Sequence, residues 1–119
     1  MYKLANGWTK ETVMTQVKRY NNDTRAVGTK IDGNTCVYKT CLYQTNDGNR
    51  CAIGAFIPDG HPGLKSYSEV SNLLFHHPDL VKCMPFTDSI ALKVFQRRHD
   101  ELSGSVYTNI QNFLNNEVE

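Results

Sequence analysis

The spacing of apolar residues near the amino terminus predicts an amphipathic helix over residues 9–20, TKETVMTQVKRY. Its apolar positions recur at intervals of three or four: Val13, Met14, Val17 and Tyr20. Thr9 can accept an amide hydrogen bond at the start, and a polar run after Tyr20 ends the pattern. We therefore expect a surface helix that packs one face against a core.

Residues 24–45 change character and predict a small antiparallel β region. Thr, Val, Ile and Tyr dominate in short runs, which favours extended strands. Gly28 and the turn-forming sequence Asp32-Gly33-Asn34 break these runs.

The second half of the chain returns to helical spacing. Residues 66–69, Ser-Tyr-Ser-Glu, fit a capping box; Asp88 can cap a helix over residues 89–102, and Ser105 can cap a last helix after Gly104. The expected buried positions are Val70, Leu73 and Leu74, then Ile90, Ala91, Val94, Phe95 and Leu102, then Val106, Ile110, Phe113, Leu114 and Val118. The predicted fold class is α+β, a single compact domain over residues 1–119 with an N-terminal helix, a small antiparallel β region and three to four further helices.

Charge and hydropathy exclude several classes of partner. Lys plus Arg number 13 and Asp plus Glu number 12, so the chain has no strong field for phosphate backbones and we expect no general nucleic-acid binding. The amino terminus lacks the apolar segment of a signal peptide, and no stretch approaches the roughly 20 apolar residues that span a bilayer. We therefore expect a cytoplasmic protein without membrane contact, whose four cysteines are thiols.

Cys51 follows the turn at Asp47-Gly48, and two local structures compete for residues 49–57. A two-residue hairpin turn would place residue 44 opposite residue 51. Alternatively, a short helix begins near Cys51 and stops before Pro58, which we favour because few β-branched residues occur there. A helix N-terminus stabilises the thiolate form of a cysteine, so the choice bears on chemistry.

One hypothesis makes the chain a cysteine-dependent hydrolase, with Cys51 as nucleophile and His99 as base. Asp59 is the preferred orienting group, because neighbours on a helix such as His99 and Asp100 diverge by about 100°. The alternative is a buried structural thiol with His99 hydrogen-bonded at the edge of the core, the commoner fate of a cysteine.

The sequence gives little support for a metal site. Cys36, Cys41, Cys51 and Cys83 lack the close pairs of structural zinc modules, and adjacent His76 and His77 would point apart on a helix. A site built from Cys41, Cys51 and His99 would need tertiary folding to assemble it. We predict no metal and no cofactor.

Residues 41–100 resemble a group of small proteins found in tailed-phage, prophage and bacterial genomes. The resemblance rests on Cys41-x-Tyr43, Asp47-Gly48, Cys51-Ala52-Ile53-Gly54, Ile57-Pro58-Asp59 and Phe95-Gln96-Arg97-Arg98-His99-Asp100. The chain departs from the group at Gln44, where a basic residue is usual, at Ala55, where a cysteine is frequent, and at residues 60–63, Gly-His-Pro-Gly, which replace an acidic, tyrosine-containing segment.

The resemblance implies a small phage-type accessory protein that binds and inhibits or redirects a host macromolecule or defence component. Capture of a small signalling molecule near residues 51–61 is a variant of this hypothesis. The candidate binding residues are Tyr43, Asp59, His61 and Asp100. The candidate surface aromatics are Trp8, Tyr38, Tyr43, Tyr67 and Tyr107, because aromatic side chains with a polar atom are favoured at interfaces.

Overall fold

The computed structural model describes residues 1–32, 35–66 and 68–119, and for residues 28–32 and 35–41 it describes the backbone without the side chains. The α-helices are α1 (Lys10–Tyr20), α2 (Val70–His76), α3 (Ser89–Asp100) and α4 (Val106–Glu117). Short 3-10 helices span Gly54–Phe56, Pro62–Lys65 and Pro78–Cys83. The strands β1 (Val27–Asp32) and β2 (Thr35–Cys41) pair antiparallel, Val27 opposite Cys41.

The three longest helices begin at caps that the sequence predicts. Thr9 and Thr12 form a capping box at the start of α1. Asp88 accepts a hydrogen bond from the amide of Ile90 at 2.8 Å, and Ser105 accepts one from the amide of Thr108 at 3.1 Å. Each cap satisfies an amide that lacks a partner within its helix, which contributes about 1 kcal/mol to stability.

The capping box predicted at residues 66–69 is wrong. α2 begins at Val70, and its N-cap residue, Glu69, makes no side-chain cap. The hydroxyl of Ser66 instead accepts a hydrogen bond from the amide of Ser68 at 3.2 Å, because Ser66 ends the preceding 3-10 helix and closes a local turn. Tyr67 lies outside the described residues.

The core is a set of aromatic rings between α3, α4 and the loop before α3. Phe86, Phe95 and Phe113 are buried, with ring centroids 5.8–5.9 Å apart in each pair. Such pairs contribute about 0.5–1.5 kcal/mol each beyond the area that they bury. The predicted buried positions of the last helix are confirmed, since all of them are at most 4% exposed.

The predicted buried stripe of α3 is wrong at two positions. Ile90 is 60% exposed, and Leu102 lies beyond the end of the helix and is 82% exposed. Leu92, absent from the prediction, is buried with Phe95 and His99, at the spacing of three and four that defines one helical face.

The predicted α+β class is wrong, because the packed globule is helical. The buried apolar side chains that the structure describes belong to helices, 3-10 helices and loops rather than to a sheet. β1 and β2 form a two-stranded ribbon whose main packing, within the described chain, is between the two strands. The β-forming residues of this stretch therefore form a two-stranded antiparallel ribbon.

Across the described part of the chain, every helix is too short or too polar to cross a bilayer.

Candidate functional site

The turn before Cys51 is one residue longer than a two-residue hairpin. Gln44 lies opposite Arg50, and the amide of Thr45 donates to the carbonyl of Asn49 at 2.8 Å. Gly48 adopts φ +90°, the left-handed conformation that commonly closes a three-residue loop. The two-residue hairpin pairing is therefore wrong.

Residues 50–59, which we call the corner, contain a single 3-10 turn close to the predicted short helix. The thiol of Cys51 is fully buried, and its Sγ accepts a hydrogen bond from the amide of Gly54 at 3.2 Å. A Cβ atom at Gly54 would lie 2.0 Å from the carbonyl oxygen of Tyr43, so only glycine fits there. The small residues around Cys51 thus allow two backbone segments to touch.

Arg50 holds the corner in shape from inside. Its side chain is 5% exposed; Nη1 donates to the carbonyl of Ile57 at 2.8 Å, and Nη2 contacts Asp59 Oδ1 at 2.5 Å. Nε donates to Gln44 Oε1 at 2.8 Å, and the guanidinium lies 4.3 Å from the ring centroid of Tyr20. A planar cation with several donors satisfies this set of acceptors while it stacks on a ring.

The corner and residues 95–100, which carry parts of the phage-protein resemblance, meet in space. The amide of Ile53 donates to Gln96 Oε1 at 3.1 Å, and the rings of Phe56 and Phe95 have centroids 5.8 Å apart. The corner and α3 therefore form one structural unit. The contacts between them explain, by packing alone, why these residue types occur in both stretches.

His99 is fully buried, and its ring nitrogens contact Ala26, Asp100 and, at 3.4 Å, the side-chain amide of Gln96. Nε2 accepts from the amide of Ala26 at 3.1 Å, which places the ring proton on Nδ1, 2.8 Å from Asp100 Oδ1. The preference for Asp59 over Asp100 as orienting group is wrong. The Cα–Cβ bonds of neighbours diverge on a helix, but rotation of the short Asp100 side chain returns its carboxylate to the ring.

The predicted catalytic residues are therefore each engaged in other contacts. Cys51 accepts from Gly54, His99 accepts from Ala26, and Asp59 pairs with Arg50. Two of these contacts satisfy a backbone amide, and the third pairs two side chains, so all three have a structural role.

The predicted binding residues divide between buried and exposed positions. Tyr43 is 4% exposed, and its hydroxyl donates to the carbonyl of Ser68 at 2.6 Å, so it is a core residue. Asp59 and Asp100 are exposed but paired, and half-buried His61 faces Asp79.

The aromatic surface candidates that can be located lie against the core. Trp8 packs edge-on against Phe56 with centroids 5.0 Å apart, and the hydroxyl of half-buried Tyr107 donates to the carbonyl of Asn21. The side chains of Tyr38 and Tyr67 lie outside the described residues.

A cluster of three titratable side chains follows the corner. His61 Nε2 lies 2.7 Å from Asp79 Oδ2, and the rings of His61 and His77 have centroids 5.1 Å apart. One ligand atom from each of the three residues lies within 4.8 Å of the others. We call His61, His77 and Asp79 the histidine cluster.

Asp79 is ionised more readily than an ordinary aspartate. The hydrogen bond from His61 lowers the pKa of its carboxyl group, and nearby charge on His61 and His77 acts in the same direction. At neutral pH the histidine cluster therefore contains a carboxylate.

Phe75, which sequence reasoning missed, is the most exposed aromatic side chain in the described chain. The other four phenylalanines are at most 4% exposed, whereas Phe75 is 79% exposed at the end of α2. The sequence contained a signal for this exposure. On a helical wheel Phe75 lies about 140° from Val70 and about 160° from Leu73, which is the side opposite the buried stripe. Val81, 45% exposed, follows in the adjoining 3-10 helix.

Two open grooves lie away from the predicted ligand pocket at residues 51–61. One, of about 330 Å³, runs along α1 beside Gln111. The other, of about 320 Å³, lies between residues 23–27 and residues 101–106. Both are shallow and lined by charged and apolar side chains, and neither includes a corner residue.

Comparison with models of protein families, with curated proteins and with solved structures finds no match for this chain. The resemblance of residues 41–100 to small phage proteins stays a prediction, and the geometry of the corner, the histidine cluster and Phe75 is the basis for the proposals below.

Proposed function

We propose that this protein is a small binding protein that recognises a host protein through the surface formed by the end of α2 and the 3-10 helix Pro78–Cys83. The observation that carries the proposal is the exposure of Phe75. Burying a phenylalanine against a partner contributes about 1.5–3 kcal/mol, and buried aromatic anchors provide much of the energy of protein interfaces.

The surroundings of Phe75 are those of an interface centre with a polar rim. His76 stacks edge-on against the Phe75 ring, with centroids 5.4 Å apart, and is itself exposed. Val81 adds apolar area, while Asp79 and Lys82 are exposed polar residues in the same 3-10 helix. An apolar centre surrounded by polar groups is typical of protein-binding surfaces.

Net charge favours a protein over a nucleic acid as the partner. The formal net charge is +1, so attraction to phosphate groups would be weak. The resemblance to phage and prophage proteins supports a host protein or defence component in the cytoplasm as the target, with inhibition or redirection of that target as the consequence.

The described contacts of Cys51 and His99 give little support to the alternative of a cysteine hydrolase. The sulfur of Cys51 accepts from Gly54, and the Nε2 lone pair of His99 accepts from Ala26. Activation of a nucleophile requires the base to be available to the thiol, so the hydrogen bond to Ala26 would have to break first.

The test compares substitutions at two residues of similar exposure. Phe75→Ala removes the proposed anchor, and Leu102→Ala removes an apolar side chain that is 82% exposed just beyond the end of α3. Tagged wild-type and variant proteins are incubated with lysate of the native host, and captured proteins are quantified by mass spectrometry. We expect one partner to be recovered equally with the wild type and Leu102→Ala, and at least about tenfold less with Phe75→Ala.

A photo-reactive phenylalanine analogue at position 75 should cross-link to the same partner, and the analogue at position 102 should not. Equal recovery of every captured protein with Phe75→Ala, or loss of the partner with Leu102→Ala alone, would contradict the proposal.

A further inference from the structure

We propose that His61, His77 and Asp79 bind a divalent transition-metal ion of the Zn²⁺ class. The proposal does not depend on the partner surface, although His77 follows Phe75 by two residues. It rests on the convergence of two imidazoles and one carboxylate from two separate loops, together with the packing that fixes those loops.

The distances suit one ion after small side-chain movements. Ligand atoms on a tetrahedral Zn²⁺ with bonds of about 2.0–2.2 Å lie roughly 3.4 Å apart. In the structure His61 Nε2 and Asp79 Oδ2 are 2.7 Å apart, and the widest separation in the histidine cluster is 4.8 Å. Asp79 is exposed and His77 half-buried, so rotation of their side chains can adjust both separations.

The donor set identifies the class of ion. Imidazole nitrogen suits zinc, copper, iron and nickel, whereas calcium and magnesium take oxygen ligands. Two histidines and one carboxylate are a common set for transition-metal sites that keep an open position for water or another ligand.

The backbone beneath the histidine cluster is closely packed. A Cβ atom at Gly63 would lie 3.2 Å from side-chain carbons of both Leu73 and Leu80, which are at most 1% exposed. The loop that carries His61 is thus seated against α2 and against the 3-10 helix that carries Asp79. A rigid framework of this kind reduces the ordering that a bound ion would impose.

Metal binding shifts a proton from one ring nitrogen of His61 to the other, with no net release of a proton. His61 Nδ1 accepts from the amide of Gly63 at 2.9 Å, so the ring proton is on Nε2 and points at Asp79. The ion takes the position of that proton, and the ring proton moves to Nδ1. The hydrogen bond from Gly63 is lost and three metal–ligand bonds form.

The experiment titrates the reduced full-length protein with Co²⁺, followed by displacement with Zn²⁺. We expect one Co²⁺ per chain, visible d–d absorption and no sulfur-to-cobalt charge-transfer band, which separates this site from cysteine binding. His77→Ala and Asp79→Asn should weaken binding by more than the roughly 10- to 100-fold that loss of an outer-shell partner causes. His76→Ala is the matched control and should bind as the wild type does.

Histidine side-chain NMR provides a readout that does not depend on a variant folding correctly. In the wild type the proton of His61 should be on Nε2 before Zn²⁺ is added and on Nδ1 afterwards. The proposal is overturned by any one of three results: no saturable binding at micromolar concentrations, a sulfur charge-transfer band, or an equal loss of affinity in His76→Ala.

Discussion

The corner at residues 50–59 and the surface at residues 61–81 follow one another in the chain. They differ in whether their distinctive side chains are buried or exposed. In the corner, Arg50 and Cys51 are buried, and their donors and acceptors meet backbone groups of the same loop. In the following surface, Asp79 and Phe75 face solvent.

The comparison shows that a specific sequence pattern can reflect folding geometry rather than chemistry. Within that pattern, Gly54 and Asp59 each have a structural reason for their identity, namely a backbone contact and a charge partner, Arg50. The surface that we propose to be functional contains no comparable sequence pattern. Its residues come together only through folding.

The largest effect that would sharpen this comparison is expected for Gly54→Ala. The new methyl group would overlap the carbonyl oxygen of Tyr43, and a backbone atom cannot rotate away as a side chain can. We expect the free energy of unfolding to fall by about 3 kcal/mol or more, measured by urea denaturation.

Gly60→Ala is the matched control, because nothing lies within 4 Å of its Cβ position and only its φ of +76° opposes the change. Its cost should be about 1–2 kcal/mol. Equal costs at the two glycines would contradict the close contact in the corner.

A smaller effect is expected for Arg50→Met. Methionine retains much of the apolar stem but leaves the carbonyl of Ile57 without its side-chain donor and the carbonyl of Gly54 with only the amide of Ile57, which should destabilise the fold by about 1–3 kcal/mol. Asp59→Asn should cost about 1 kcal/mol or less, because Asp59 is 75% exposed. If urea denaturation ranks the two variants the other way, the carbonyl contacts are not what holds the corner.

The smallest effect is expected in how the free energy of unfolding changes at acidic pH. The folded-state pKa of Asp79 lies below its ordinary value of 3.8, so its contribution to stability is complete above that value and is lost as the pH falls through the folded-state pKa. The urea midpoint should therefore fall less in Asp79→Asn than in the wild type between about pH 6 and about pH 3. Parallel profiles would contradict the interaction with His61.

Local signals in the sequence predicted the helix starts well. Thr9, Asp88 and Ser105 cap where expected, because a cap depends on residues within one turn. The capping box at residues 66–69 failed because Ser66 is the C-cap residue of an unpredicted 3-10 helix, Pro62–Lys65. The fold class failed because β-propensity does not reveal whether a strand pair joins the core.

Tertiary contacts could not be predicted from spacing. His61 and Asp79 are 18 positions apart and belong to no short metal-binding pattern, so the histidine cluster appears only after the loops pack through Gly63. The contact between His99 and Ala26 joins residues 73 positions apart. Phe75, by contrast, could have been found, because its place opposite the buried stripe of α2 follows from helix geometry alone.

The account depends most on Cys51 being a packed structural thiol, and iodoacetamide labelling near neutral pH tests this directly. The modification rate of each of the four cysteines is followed by peptide mass spectrometry in the native protein. Cys83 is half-buried and Cys51 fully buried, so Cys83 should react at least about tenfold faster than Cys51. If Cys51 is instead the fastest of the four to react, the corner is a reactive site and the account is wrong.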